Sequence, residues 1–160
     1  MELIVSIFRM YPLLILFYAL LIKNINLITV LLISIALNFL LKYLIIKPIF
    51  KDKVYPIIGC CNRPSNAKNC GYLKDPPGYK TNTYGMPSGH AQIALAFSVY
   101  LLLSEHYSKN LTYGKALFYI LSAISVSYSR LYLNCHTIQQ VLIGGMFGAI
   151  LGIFGFYYTR

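Results

Sequence analysis

Acidic side chains are almost missing from this chain: four Asp+Glu stand against 14 Lys+Arg in 160 residues, a formal charge of +10. Charged residues of both signs make up only 11%, where a soluble domain carries about 25%. Hydrophobic residues reach 58%, and the mean hydropathy is +0.62. Disorder is excluded, because too little charge opposes collapse. A soluble core is excluded as well, because too few polar side chains remain to cover it. So few carboxylates leave no cluster for a metal, so metal-independent chemistry without a cofactor is expected. The four cysteines, Cys60, Cys61, Cys70 and Cys135, form no CxxC pair and no zinc spacing. A Cys60–Cys70 or Cys61–Cys70 bridge is expected if that loop lies outside the cytosol, with free thiols as the alternative. Nucleic acid is a poor partner, because the basic residues lie in or beside long apolar runs; anionic lipid headgroups or a phosphorylated substrate fit better.

What is present is a series of apolar segments of bilayer length. Leu3 to Ile22 is apolar apart from Ser6, Arg9 and Pro12, with Arg9 read as snorkelling toward one face. Ile25 to Ile46 follows, broken by Asn38 and Lys42 near its far end. Pro87 to Leu103, a segment beginning near Leu111 and running through Lys115 to Tyr128, and Thr137 to Tyr158 complete the set. The last carries Gly144, Gly145, Gly148, Gly152 and Gly155, which permit close helix contact. The expected fold is all-α: one domain over residues 1–160, a multi-pass membrane bundle of about five spanning helices with its site at one membrane face. Between the second and third segments lies a loop, residues 47–86, rich in proline and lysine. A loop that long in a small protein is usually functional.

Five crossings put the long loop, the start of the third segment and the link between the fourth and fifth on one face. Every unusual polar residue falls there: Lys42, Arg63, Ser88, Gly89, His90, Arg130, His136 and Gln140. Taken singly, each has a plain reading, Lys42 as a snorkelling lysine, Ser88 as a helix cap, Arg130 as an interfacial anchor, His136 as a satisfied interfacial histidine. Their joint placement points to an anion site. Ser88 caps the third helix and Gly89 lets its backbone approach a ligand, so the free N–H groups and the positive helix end face an anion. Lys42, Arg63 and Arg130 would surround that anion. His136 and Gln140, four residues apart, share a helix face, so the Gln140 amide can orient His136 for attack on phosphorus while His90 protonates the leaving oxygen. Tyr79, Tyr84 and Tyr132 stand near this face, and Lys47, Lys51, Lys53, Lys68, Lys74 and Lys80 form a solvated basic rim. His106 falls on the opposite face beside Glu105.

Pro87-Ser88-Gly89-His90, followed by Ser129-Arg130, five residues and His136, resembles the second and third signatures of the lipid phosphate phosphatase superfamily, which holds the type 2 phosphatidic acid phosphatases and the vanadium haloperoxidases. The stretches Gly85–Gln92 and Ser129–Leu142 are most similar to its dolichyldiphosphatase branch. The resemblance implies His136 as nucleophile, His90 as general acid, and Ser88, Gly89 and Arg130 as phosphate ligands. The first signature of that group, Lys, six residues, then Arg-Pro, is broken here: seven residues after Lys42 stands Ile49, and Arg63-Pro64 arrives fourteen residues late. Either an insertion moved the arginine and the loop folds it back, which is the preferred reading, or Arg63 is a coincidence and one ligand is missing. Lys53 is a weaker candidate for the lysine. Gln140 stands where most of the superfamily has Asp, as in the dolichyldiphosphatase branch.

The expectation is therefore an integral membrane phosphatase acting on a polyprenyl, dolichyl-type diphosphate through a phosphohistidine, in a thin membrane such as the endoplasmic reticulum. The alternatives are a phosphatase for phosphatidic acid or another lipid monophosphate, a catalytically impaired lipid-phosphate-binding protein, and a purely structural membrane protein. Lysine counts favour the site face in the cytosol, as does the Asn110-Leu111-Thr112 sequon opposite; the cysteines and the family resemblance favour the lumen, which is preferred.

Overall fold

The structure, a computed structural model, describes residues 2–51, 53–72, 76, 81 and 83–160. Lys74, Tyr79 and Lys80 lie outside the described residues. Five long helices form an all-α bundle. Helix α1 is Glu2–Leu21. Helix α2 begins at Ile25–Leu40, continues through a π-helical stretch Leu41–Ile46 and ends in the turn Lys47–Phe50. Helices α3, α4 and α5 are Gly89–Tyr107, Tyr113–Tyr132 and Ile138–Thr159. A short antiparallel hairpin, β1 Val54–Tyr55 and β2 Gly59–Cys60, pairs Val54 with Cys60.

The helix starts follow local chemistry. The side chains of Asn24, Thr112 and Thr137 each accept a hydrogen bond from a first-turn N–H, at 2.9 Å, 3.3 Å and 3.4 Å. At Thr137 the Gln140 side chain reaches back to the Thr137 N–H, closing a capping box. Several ends run further than the apolar pattern indicates. Helix α2 passes Ile46 to Phe50, α3 passes Leu103 to Tyr107, and α4 includes Ser129 and Arg130, which the sequence reading put in a link. Polar side chains at a helix end satisfy their backbone inside the helix as readily as outside it, so polarity marks such an end poorly.

Among the described residues three helices, Leu3–Leu21, Ile25–Phe50 and Ile138–Thr159, are long and apolar enough to cross a membrane. Helices α3 and α4 carry more polar side chains, and the reason for α3 is its place. It packs on all four other helices, so His90, Gln92 and Ser98 are buried against protein rather than lipid. Its tightest neighbour is α5. An added Cβ at Gly144 would strike the Ser88 carbonyl, and one at Gly148 the Gln92 carbonyl, so the small residues of α5 let two backbones touch. Ile93, Phe97, Tyr100 and Leu101 of α3 meet Leu27, Val30 and Leu31 of α2 and Ile15 and Ala19 of α1 in the main core. Many large apolar side chains point outward, Leu3, Ile25, Leu44, Leu142 and Phe154 among them, as lipid-facing surfaces do.

Two expectations are corrected. Arg9 does not snorkel: it is 8% exposed, because α1 lies against α3 and the Arg9 carbonyl meets the ring of His90. The disulfide is neither of the expected pairs. Cys70 is bonded to Cys135, 65 residues away, while Cys60 and Cys61 are free thiols. Chain proximity favoured bridges within the loop; the fold instead lays Cys70 on the α4–α5 link.

Candidate active site

The α4–α5 link turns sharply. Asn134 adopts φ 52°, a left-handed conformation that asparagine tolerates well. The Arg130 carbonyl accepts from the N–H groups of Cys135 and His136 at 2.9 Å and 3.2 Å. This places His136, 4% exposed, one turn before Gln140 at the start of α5.

Gln140 is fully buried, and its amide is fixed at both ends. Nε2 donates to the Cys60 carbonyl at 2.9 Å and the Asn62 carbonyl at 2.6 Å. Two carbonyls can only accept, so nitrogen must face them and oxygen must face His136, where Oε1 lies 2.9 Å from Nδ1. That oxygen requires an N–H at Nδ1. The lone pair of the neutral imidazole is therefore on Nε2. A neutral amide thus performs the tautomer selection that a carboxylate performs in other sites. Burial, reinforced by the charges of Arg63 and Lys42, holds His136 well below the ordinary histidine pKa of 6.5.

The long loop folds back to meet this pair. The Cys61 carbonyl accepts from the N–H groups of Gly85 and Met86 at 3.1 Å and 3.0 Å, while Cys60 and Asn62 hold Gln140. The next residue, Arg63, lies against His136, with Nη1 3.1 Å from Nε2. It also donates to the Cys135 carbonyl at 2.8 Å and, through Nε, to Thr83 Oγ1 at 2.9 Å. The β1–β2 hairpin lies in the stretch that separates Lys42 from Arg63, and the loop returns Arg63 to Lys42 despite the broken spacing. Ile49, at the position the signature would assign, is 63% exposed.

Lys42, Arg63, Gly89, His90 and His136 line one cavity of about 320 Å³, with Asn38 and Tyr72 among its walls. Lys42 is the buried residue of the π-helical stretch, a helical irregularity that recurs at functional sites. Ser88 occupies the N-cap position of α3 but makes no side-chain cap bond; its Oγ is buried without a partner. Arg130 is fully buried, and its Nη1 and Nη2 have no partner. Buried donors without acceptors and clustered cations without a carboxylate are costly unless an anion joins them. The one described acidic side chain, Glu105, pairs with Lys115 at 3.2 Å, outside the cavity. His90 Nε2 lies 2.9 Å from the Arg9 carbonyl. A carbonyl only accepts, so Nε2 carries the proton and Nδ1 remains to serve a ligand.

All eight sequence-predicted residues therefore converge, five on the cavity wall and Ser88, Arg130 and Gln140 behind it. Tyr84 is buried in the loop core with Met86, and its hydroxyl donates to the Lys51 carbonyl; Tyr132 is exposed on α4. Lys53 is exposed and lies outside the cavity wall. Sequence reading passed over Gln92, which accepts from Asn38 Nδ2 at 2.8 Å and donates to the Ser34 carbonyl at 2.9 Å, tying α2 to α3 below the cavity. An amide two residues after His90 and another four before Lys42 were the available signal. It also passed over Thr83, which holds Arg63, and Tyr72, whose ring lies 5.8 Å from that of His90.

The PAP2 superfamily model matches residues 23–160, and the chain belongs to that superfamily. Dolichyldiphosphatase 1 of Homo sapiens is 42% identical over 88 residues, covering 48% of this chain and 37% of that protein. Dolichyldiphosphatase 1 of Dictyostelium discoideum is 35% identical over 80 residues, 46% of this chain and 34% of the relative. Undecaprenyl-diphosphatase of Sulfolobus acidocaldarius is 36% identical over 87 residues, 54% of this chain and 38% of the relative. The matched stretch spans little more than a third of each of these relatives. No solved structure matches the chain.

Proposed function

We propose, from the premise that this chain is a PAP2-superfamily protein, that it hydrolyses a polyprenyl diphosphate to the monophosphate at one membrane face, through a phosphohistidine on His136. The observation that carries the reading is the His136–Gln140 pair, which leaves the Nε2 lone pair facing a cavity of cations. Nε2 attacks the terminal phosphorus and the bond from that phosphorus to the bridging oxygen breaks. His90 takes up a second proton at Nδ1 as the anionic headgroup enters and gives that proton to the departing monophosphate. Water then attacks the phosphorus while His90 Nδ1 takes its proton, the phosphorus–Nε2 bond breaks, and orthophosphate leaves with Nε2 restored. Arg63 moves from Nε2 onto the phosphoryl oxygens as substrate enters, where with Lys42, Ser88 and Arg130 it stabilises the charge of the transition state. Gln140 orients the ring but gives the imidazolium no negative charge, so the rate is lower than with a carboxylate there.

All five helices cross the membrane in this reading, since a helix of α4's 20 residues reaches about 30 Å. The Cys70–Cys135 bridge supports an oxidising, lumenal site face, in a membrane like the endoplasmic reticulum. Names of the relatives support a polyprenyl diphosphate over phosphatidic acid. The test is phosphate release from dolichyl diphosphate and phosphatidic acid in detergent with EDTA, for the wild type and His136→Ala. EDTA-resistant release from the diphosphate, lost in the variant, is expected; release that survives the substitution overturns the mechanism.

A further inference from the structure

We propose that Arg9, on the helix α1 that precedes the superfamily match, forms with Arg130 a second anion subsite that holds the lipid-bearing phosphate of a diphosphate headgroup. This rests on the reading above that the substrate is a diphosphate, and adds the residue that distinguishes it from a monophosphate.

Arg9 is 8% exposed and Arg130 fully buried. Arg9 Nε and Arg130 Nη1 and Nη2 are buried donors with no partner; the other contact of Arg9 is a long one, Nη2 to Ser6 Oγ at 3.4 Å. Helix α1, which carries Arg9, packs on α4, which carries Arg130. Their chain neighbours Phe8 and Ser129 line one cleft between α1 and α4, and the Arg9 carbonyl sits on the ring of His90. Among the described side chains the one carboxylate, Glu105, is paired with Lys115, and buried guanidinium donors without acceptors are costly unless an anion meets them.

The cations outnumber what one phosphate needs. Lys42 and Arg63 line the cavity with His136 and His90, and Arg63 lies on His136. Arg130 and Arg9 are buried outside that wall, and Arg9 meets His90 through its carbonyl. A diphosphate that has its terminal phosphorus at His136 would have its departing phosphate on the Arg130 and Arg9 side, next to the acid that must protonate it. The cleft lined by Phe8 and Ser129, about 380 Å³ and walled also by Ile4, Val5, Tyr128 and Leu133, is largely apolar and would take the lipid chain.

The experiment compares thermal stabilisation by orthophosphate and by methylenediphosphonate, a diphosphate analogue that cannot be hydrolysed, for the wild-type chain, Arg9→Met and Arg9→Lys in detergent. The wild type is expected to prefer the diphosphonate, Arg9→Met to lose about tenfold or more of its affinity while keeping that for orthophosphate, and Arg9→Lys to recover part of it. A wild type without the preference overturns the subsite whatever the variants do. So does Arg9→Met that keeps the preference, or that weakens both anions equally and thereby shows a structural arginine. Diphosphonate preference without turnover of any lipid diphosphate sinks the enzymatic reading alone; turnover of the lipid without an Arg9-dependent preference sinks the subsite alone.

Discussion

Arg63 and His136 are 73 residues apart, yet Nη1 of one lies 3.1 Å from Nε2 of the other. The pairing is made by a loop that returns from the end of α2, passes three successive carbonyls to Gln140 and to the Gly85–Met86 backbone, and is pinned by the Cys70–Cys135 bridge. Arg63→Ala is expected to lower kcat/KM on a lipid diphosphate by about a hundredfold, the loss of a charged contact worth roughly 3 kcal/mol. Adding Ile49→Arg, which restores the uninterrupted signature spacing, is expected to give no rescue, because position 49 faces out at 63% exposure. Steady-state kinetics of the single and double variants check both statements.

The amide of Gln140 is both a tautomer selector and a structural clamp. Gln140→Glu keeps the shape and the acceptor for His136 but sets a carboxylate against the Cys60 and Asn62 carbonyls. The expected outcome is a loss of about 2–5 kcal/mol in stability, two buried acceptors having lost their donor, rather than a gain in rate. Denaturation midpoints in detergent, beside initial rates, decide it.

Cys70–Cys135 closes a loop of 65 residues, and such closure is worth up to about 4 kcal/mol through the unfolded chain. Cys70→Ser is expected to lower the melting temperature and to weaken activity, since the Arg63 contact to the Cys135 carbonyl loses its anchor. Alkylation followed by mass spectrometry should label Cys60 and Cys61 under denaturing conditions without reductant, and all four cysteines after reduction.

Gly148→Ala drives a Cβ into the Gln92 carbonyl, a backbone atom that cannot move aside. A loss of about 1–3 kcal/mol is expected from this overpacking. Gly114→Ala, where a Cβ meets nothing within 4 Å, is expected to be neutral or stabilising by about 0.5–1 kcal/mol. Melting curves of the two alanine variants side by side separate packing from propensity.

His136 is held well below its ordinary pKa of 6.5 by burial first and by Arg63 and Lys42 next. As pH falls through about 6.5, the unfolded chain binds a proton there and the ligand-free folded protein does not, so stability declines toward acid by at most about 1.4 kcal/mol per pH unit. His136→Ala is expected to flatten this part of the curve. Melting temperatures measured from pH 7 to pH 5 for both proteins report the slope.

The amino-acid sequence by itself determined the class of molecule, because apolar runs with few charges allow only a membrane bundle. It also marked the candidate site, because Ser88, His90, Arg130 and His136 stand out by local spacing, and His136 with Gln140 share a face by helical period alone. The glycine contacts of α5 were legible for the same reason, since residues four apart must line one stripe. What only the tertiary structure decided was everything joining distant segments: the return of Arg63, the partner of Cys70, and the burial of Arg9 beside Arg130. Spacing along a chain measures distance only where the backbone is regular. Across a forty-residue loop and between helices, position is set by the sum of packing, carbonyl pairing and one covalent bridge, none of which is written at a single position.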